Sequence, residues 1–198
     1  MRRRGTSTRV DDRLVTCLPG RIGVRVASDA MKSMITIAVL GLATLPCVGE
    51  NPGPNPLIDY PGFQKIVDSS NKERESRRLT EDAFVTMMHE QGVVVLDARS
   101  SNKYELRHIK GAVNLPFTDF TAASLAGVLP SKDVKILIYC NNNFLGSPDA
   151  FISKAASASL NLSTYTSLKA YGYNNIYELG PLLDVNKTKI PFEGSEVK

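Results

Sequence analysis

The residues best equipped for chemistry lie in one stretch, I-L-I-Y-C-N-N-N-F-L-G-S-P-D-A-F, residues 136–151. An apolar run ends on Cys140, and a polar loop, Asn141 to Gly146, follows. Ser147-Pro148-Asp149 then has the form of a helix start, with Ser as the cap, Pro at the first position and Asp in the first turn. This order puts a thiol at the carboxyl end of a strand, where open α/β sheets bind their ligands. A loop that curls back to open a helix lets its backbone N–H groups converge on the sulfur, over the positive end of the helix dipole. Such surroundings favour a thiolate, a nucleophile suited to electrophilic sulfur or phosphorus. The competing reading is an inert core cysteine, since Cys is among the most buried residue types. Asn141–Asn143 can equally be a turn-prone polar loop. The two histidines, His89 and His108, are far apart in sequence, which supports neither a Cys–His pair nor a metal site.

The elements that must position this cysteine can be read on either side of it. Thr80 is a natural N-cap, with Glu81 and Asp82 in the first turn. Phe84, Met87 and Met88 recur at helical spacing before Gly92 stops the helix. Val93 to Leu96 and Val134 to Tyr139 are apolar runs suited to strands buried on both faces, and Asn175 to Leu179 is a weaker third. Helical segments are expected at 103–107, 118–127, 148–160 and 164–171, with Ser163 as a second N-cap and a break near Asn161. Strands alternating with helices predict an α/β domain with helices on both faces of a mostly parallel sheet.

Composition narrows the class. The chain has 198 residues, 42% hydrophobic and 22% charged, a globular balance sized for about one domain. Its formal net charge of +4 invites a nucleic-acid reading. Residues 1–30, however, hold seven Arg against three Asp, which is the whole excess. A nucleic-acid-binding domain needs its basic face in the folded part, so no nucleic-acid partner is expected. Residues 1–30 read as an Arg-rich leader or an over-called start. Lys32 and the 12-residue apolar stretch Met34 to Leu45, broken by Pro46 and followed by Gly49, have the layout of a secretory signal peptide over 31–49. Twelve helical residues reach only about 18 Å, short of a bilayer core, so no stable span is expected in the mature chain. Export to the periplasm or medium is the expectation. A cytoplasmic product is the alternative, and a transit peptide is opposed by the three Asp and the apolar core. Cleavage near Gly49 leaves Cys140 as the sole cysteine, Cys17 and Cys47 being lost. Residues 50–78 read as a Pro/Gly-rich and charged lead-in, with 65–78 a solvated helix or a linker and order starting at Thr80. The tail 185–198 is expected to be irregular and partly mobile.

Three blocks in sequence carry a family likeness: V-V-V-L-D-A-R-S from Val93, Y-E-L-R-H-I-K-G-A-V-N-L-P from Tyr104, and the strand ending on Cys140 followed by G-Y-N-N-I-Y-E-L-G. Over about residues 79–184 the chain resembles a single-domain rhodanese, a thiosulfate sulfurtransferase-like module. The resemblance implies a small three-layer α/β fold, with Cys140 as the nucleophile that accepts a sulfane sulfur and passes it to a thiol or cyanide. It makes Asn141, Asn142, Asn143, Phe144, Leu145, Gly146 and Ser147 the substrate-binding loop. It gives Asp97, Arg99 and His108 supporting roles, and implies neither cofactor nor metal. Active relatives commonly carry an arginine in this loop. Here the loop has no charged residue before Asp149, which disfavours phosphate or arsenate chemistry that needs a guanidinium fork. The alternative implied is a non-catalytic module that binds a protein partner or carries sulfur passively.

Overall fold

A computed structural model describes Gly53 and residues 55–197. The Arg-rich leader and the signal segment lie outside the described residues. The chain order is helix α1 (Tyr60–Ser76), strand β1 (Arg78–Leu79), α2 (Glu81–Met88), β2 (Val93–Asp97), α3 (Ser101–Leu106), β3 (His108–Ile109) and β4 (Val113–Asn114). It continues through α4 (Ala122–Val128), β5 (Lys135–Tyr139), β6 (Phe144–Leu145), α5 (Leu160–Ala170), β7 (Ile176–Leu179), β8 (Leu183–Asp184) and β9 (Phe192–Glu193).

Five strands form a parallel sheet in the order β1-β7-β5-β2-β4. The central strands read as continuous apolar runs because both their faces are covered. Alternate side chains feed two separate cores. Val95, Leu137, Tyr139 and Leu179 pack with Phe84 of α2 and with α3. Leu96, Ile136, Ile138 and Ile176 pack with Leu125 of α4 and with Tyr165 and Leu168 of α5. The expected helices on both faces are present. Thr80 caps α2 by accepting from the Ala83 N–H at 3.2 Å, as its sequence position predicts. Among the described residues no helix is long and apolar enough to cross a membrane.

Two expectations at the ends of the chain are corrected. Order does not start at Thr80. Asp59 accepts from the Gly62 N–H at 2.9 Å and opens α1, which lies against α5, and β1 then adds the outermost strand beside β7. The 65–78 run looked solvated because ion pairs rather than an apolar stripe pin much of it. Lys169 of α5 binds Glu73 at 2.8 Å, and Arg77 donates to the Asn174 carbonyl. Nor is the tail 185–198 irregular throughout. β9 pairs antiparallel with β3, Ile190 is buried, and the N–H groups of Ser195 and Glu196 donate to the Glu105 and Leu106 carbonyls at 2.9 Å.

Candidate active site at the end of the central strand

β5 delivers Cys140 to the carboxyl end of the sheet, where it is 1% exposed. The segment after it departs from expectation. Asn141–Asn143 form a single 3-10 turn, and the chain then extends into β6, which pairs parallel with β8. Gly146 turns at φ +88°, against Asn186 and Asp184, a conformation that suits glycine. No helix starts at Ser147, and 148–159 is turn and irregular chain apart from a 3-10 turn at Ala156–Ala158. Carbonyls that a helix there would use are taken elsewhere. Arg99 donates to the Ala150 carbonyl at 3.0 Å and Lys103 to that of Asp149 at 2.6 Å. The Ser147 hydroxyl, instead of capping, donates to Glu196 at 2.7 Å.

The helix that serves the cysteine is α5, which runs unbroken from Leu160 through Asn161 and Ser163. Its N-cap, Ser159, makes no side-chain cap bond. Its Oγ lies 3.4 Å from Cys140 Sγ instead. The sulfur thus sits at the positive end of an eleven-residue helix, where negative charge is favoured. The Asn143 N–H is directed at the Cys140 carbonyl, 3.1 Å away, and at the sulfur.

The three asparagines bind protein. Asn141 donates to the Ile152 carbonyl at 2.8 Å, and Asn142 makes a two-way bond with the backbone of Lys154. Asn143 Oδ1 accepts from the Cys140 N–H at 2.9 Å and from Asn161 Nδ2 at 3.2 Å. Its Nδ2 donates to the Leu179 carbonyl at 2.8 Å. Phe144 enters the core and Leu145 faces solvent. Of the predicted loop, Asn142 and Asn143 join Cys140 in lining a cavity of about 330 Å3, and Asn141, Phe144, Leu145, Gly146 and Ser147 do not. Its other walls include Ser159 and Asn161 of the α5 region, Glu178 of β7, and two residues the sequence did not single out, Arg74 of α1 and Arg78 of β1. The run R-E-S-R-R ahead of Thr80 was the available signal.

Glu178 holds both arginines. Its Oε2 accepts from Arg74 Nε at 3.0 Å and Nη2 at 2.9 Å, and its Oε1 lies 3.1 Å from Arg78 Nε. Burial pushes the Glu178 carboxyl above its ordinary range, against the pull of Arg74 and Arg78.

Asp97, Arg99 and His108 stand as a frame beside the site. Asp97 accepts from the Arg99 N–H at 2.9 Å and from its guanidinium, and from the Tyr139 hydroxyl. Arg99 also donates to the Arg107 carbonyl at 2.8 Å and stacks over Phe151. Burial pulls the Arg99 guanidinium down, and the bond and charge of Asp97 outweigh it, so the net direction is up. Burial pushes the Tyr139 phenol well above its usual range, and it stays a neutral donor.

His108 braces the turn at Gly111. Its Nδ1 lies 2.7 Å from the Tyr104 carbonyl, and its Nε2 lies 3.2 Å from Glu193, which also accepts from the Gly111 N–H at 2.9 Å. The Gly111 N–H, and then His108, hold the Glu193 carboxyl below its ordinary range. A depressed carboxylate stabilises the fold above its unfolded pKa, and that contribution is lost as the pH falls through the folded value. Wild type is therefore expected to lose its stability advantage over Glu193→Gln as the pH drops below the ordinary value of 4.5. Urea midpoints of the two proteins across pH 7 to 3 measure this; a gap that persists unchanged to pH 3 contradicts it.

A family profile described as a rhodanese-like domain matches residues 80–180, half of the 198-residue chain. The chain belongs to the rhodanese-like domain family. Solved structures similar to this rhodanese-like chain include the BH2092 protein of Bacillus halodurans, at 15% identity and a TM-score of 0.45, over 67% of this chain and 88% of that one. A rhodanese with anions from E. coli is 20% identical, at a TM-score of 0.36, over 52% and 99%. The Alr3790 protein of Anabaena sp. is 21% identical, at a TM-score of 0.42, over 60% and 94%. No curated protein matches the chain. The rhodanese match begins at Thr80, so Arg74 and Arg78 lie outside it.

Proposed function

We propose that this rhodanese-like domain is a sulfurtransferase with Cys140 as its nucleophile. The observation that supports it is Cys140 Sγ lying 3.4 Å from the N-cap hydroxyl of α5, on the wall of a polar cavity. A thiolate, and the persulfide that follows it, both gain from the helix terminus. The thiolate attacks the outer sulfur of thiosulfate. The S–S bond to the sulfonate sulfur breaks, and sulfite leaves with the electron pair. Cys140 is left as a persulfide anion, so sulfur and charge both balance. A thiol or cyanide acceptor then attacks the outer persulfide sulfur, and the Cys140 thiolate returns.

Intact mass after thiosulfate treatment tests the proposal. Wild type is expected to gain one sulfur atom, and Cys140→Ser none. The near-complete burial of Cys140 supports a second reading, a non-catalytic member that presents the fold to a protein partner. A folded wild type that gains no sulfur from thiosulfate favours that second reading and overturns the first.

A further inference from the structure

We propose that Arg74 and Arg78, supplied from outside the rhodanese match, form the anion-reading site of the Cys140 cavity, and that it selects donors with a sulfonate head such as thiosulfate. The inference rests on the sulfurtransferase reading and names the residues that choose its substrate.

The loop after Cys140 carries no positive charge, and its asparagine side chains are spent on the backbone. A dianionic donor needs charged hydrogen-bond donors from another source. The cavity supplies them in Arg74 and Arg78, which line it together with Cys140. Two guanidinium groups share the carboxylate of Glu178, which is 1% exposed, so these three groups carry an excess of one positive charge. Glu178 engages Arg74 through Nε and Nη2 and Arg78 through Nε. Arg74 Nη1 and Arg78 Nη2 have no hydrogen bond among the described residues. Arg78 Nη1 has only Glu75, 3.7 Å away and itself largely exposed. Arginine forks with unused N–H groups, held in place by a buried carboxylate, suit a tetrahedral oxyanion. Ser159 and Cys140 line the same cavity, so the anion site and the nucleophile share one space.

The carboxylate opposes what the arginines do, and this separates an anion-reading role from a purely structural one. Arg78→Gln and Glu178→Gln both break the same ion pair, yet they change the charge of the cavity in opposite directions. Arg78→Gln is expected to raise the KM for thiosulfate about tenfold with kcat little changed, by loss of one charged donor. Glu178→Gln is expected to lower that KM about threefold, and Arg78→Lys to recover part of the loss. Loading from a small hydropersulfide, which carries at most one negative charge and no sulfonate, is expected to fall less in Arg78→Gln than loading from thiosulfate. Calorimetric titration of thiosulfate into the full-length Cys140→Ser protein reads the site without turnover, with the same opposite shifts expected in Kd. If both substitutions move KM and Kd the same way, or neither moves them while melting curves show folded protein, the inference is overturned. If wild type takes up no sulfur but thiosulfate binding still shifts in opposite directions, the sulfurtransferase reading fails and the anion site stands.

Discussion

Asp97→Asn is expected to lower the free energy of unfolding by about 3–5 kcal/mol, the scale for removing one partner of a buried ion pair. Asp97 is fully buried and Arg99 is 2% exposed. The guanidinium is tied to Asp97, to the Ala150 carbonyl and to the Arg107 carbonyl, so it cannot swing out to water when its counter-charge goes. The Tyr139 hydroxyl, which also accepts from the Ile109 N–H, loses its acceptor at the same time. One carboxylate thus links β2, β5, β3 and the irregular segment after β6. Chemical denaturation of wild type and variant measures the loss. Arg99→Met alone strands the Asp97 carboxylate in the same way, whereas in the Asp97→Asn background it removes the guanidinium left without a counter-charge. The double variant Asp97→Asn/Arg99→Met is therefore expected to be more stable than Asp97→Asn. A drop below about 1 kcal/mol, the range of an exposed pair, would show that the network is not the frame inferred here.

The same network explains which parts of the fold were legible in the sequence. β2 and β5 are buried on both faces, so the side chains of Val93–Leu96 and Ile136–Tyr139 had to be apolar in unbroken runs, and the runs were visible, whereas Glu178 interrupts β7. Thr80 and the spacing of Phe84, Met87 and Met88 announced α2 because capping and periodicity are local signals. The segment 148–160 misled for a matching reason. Ser147-Pro148-Asp149 has good local helix-start chemistry, but Arg99 and Lys103, roughly fifty residues earlier, take the carbonyls. Nothing local records a bond to a distant guanidinium. α1 was obscured for the opposite reason. Its partners are the ends of charged side chains, Lys169 and Glu178, so its sequence reads like that of a solvated helix. The position of Cys140 at the end of a strand was readable, whereas the helix beneath it was assigned to the wrong residues. That helix begins at Leu160, and the positive charges at the cavity come from residues ahead of Thr80.

Asn143 is the residue through which this rearranged loop is joined to the sheet, and Asn143→Ala is expected to cost about 2–4 kcal/mol of stability. Its carboxamide is buried and makes its bonds in both directions. The oxygen takes the N–H of Cys140 and the amide of Asn161, and the nitrogen serves the Leu179 carbonyl at the end of β7. Alanine leaves the Cys140 N–H and the Leu179 carbonyl without their protein partner at a buried position. It also frees Asn161, whose own Oδ1 already has no partner. Each stranded group costs about 1–3 kcal/mol, and relaxation of the turn returns part of that. The effect on chemistry follows from the same bonds. Asn143 fixes the Cys140 backbone and, through Asn161, the first turn of α5, so it sets the position of the sulfur relative to Ser159. Thiosulfate loading of Cys140 is expected to fall by at least tenfold in Asn143→Ala at temperatures where the variant is fully folded. Asn143→Asp separates the two effects. It keeps the acceptor for the Cys140 N–H, loses the donor to Leu179, and adds a negative charge beside the thiol that disfavours the thiolate. Its loading is therefore expected to fall further than its stability does. Denaturation midpoints paired with stopped-time mass spectrometry give both quantities for each variant. Loading that tracks stability alone in the two variants would remove Asn143 from any role in positioning the nucleophile.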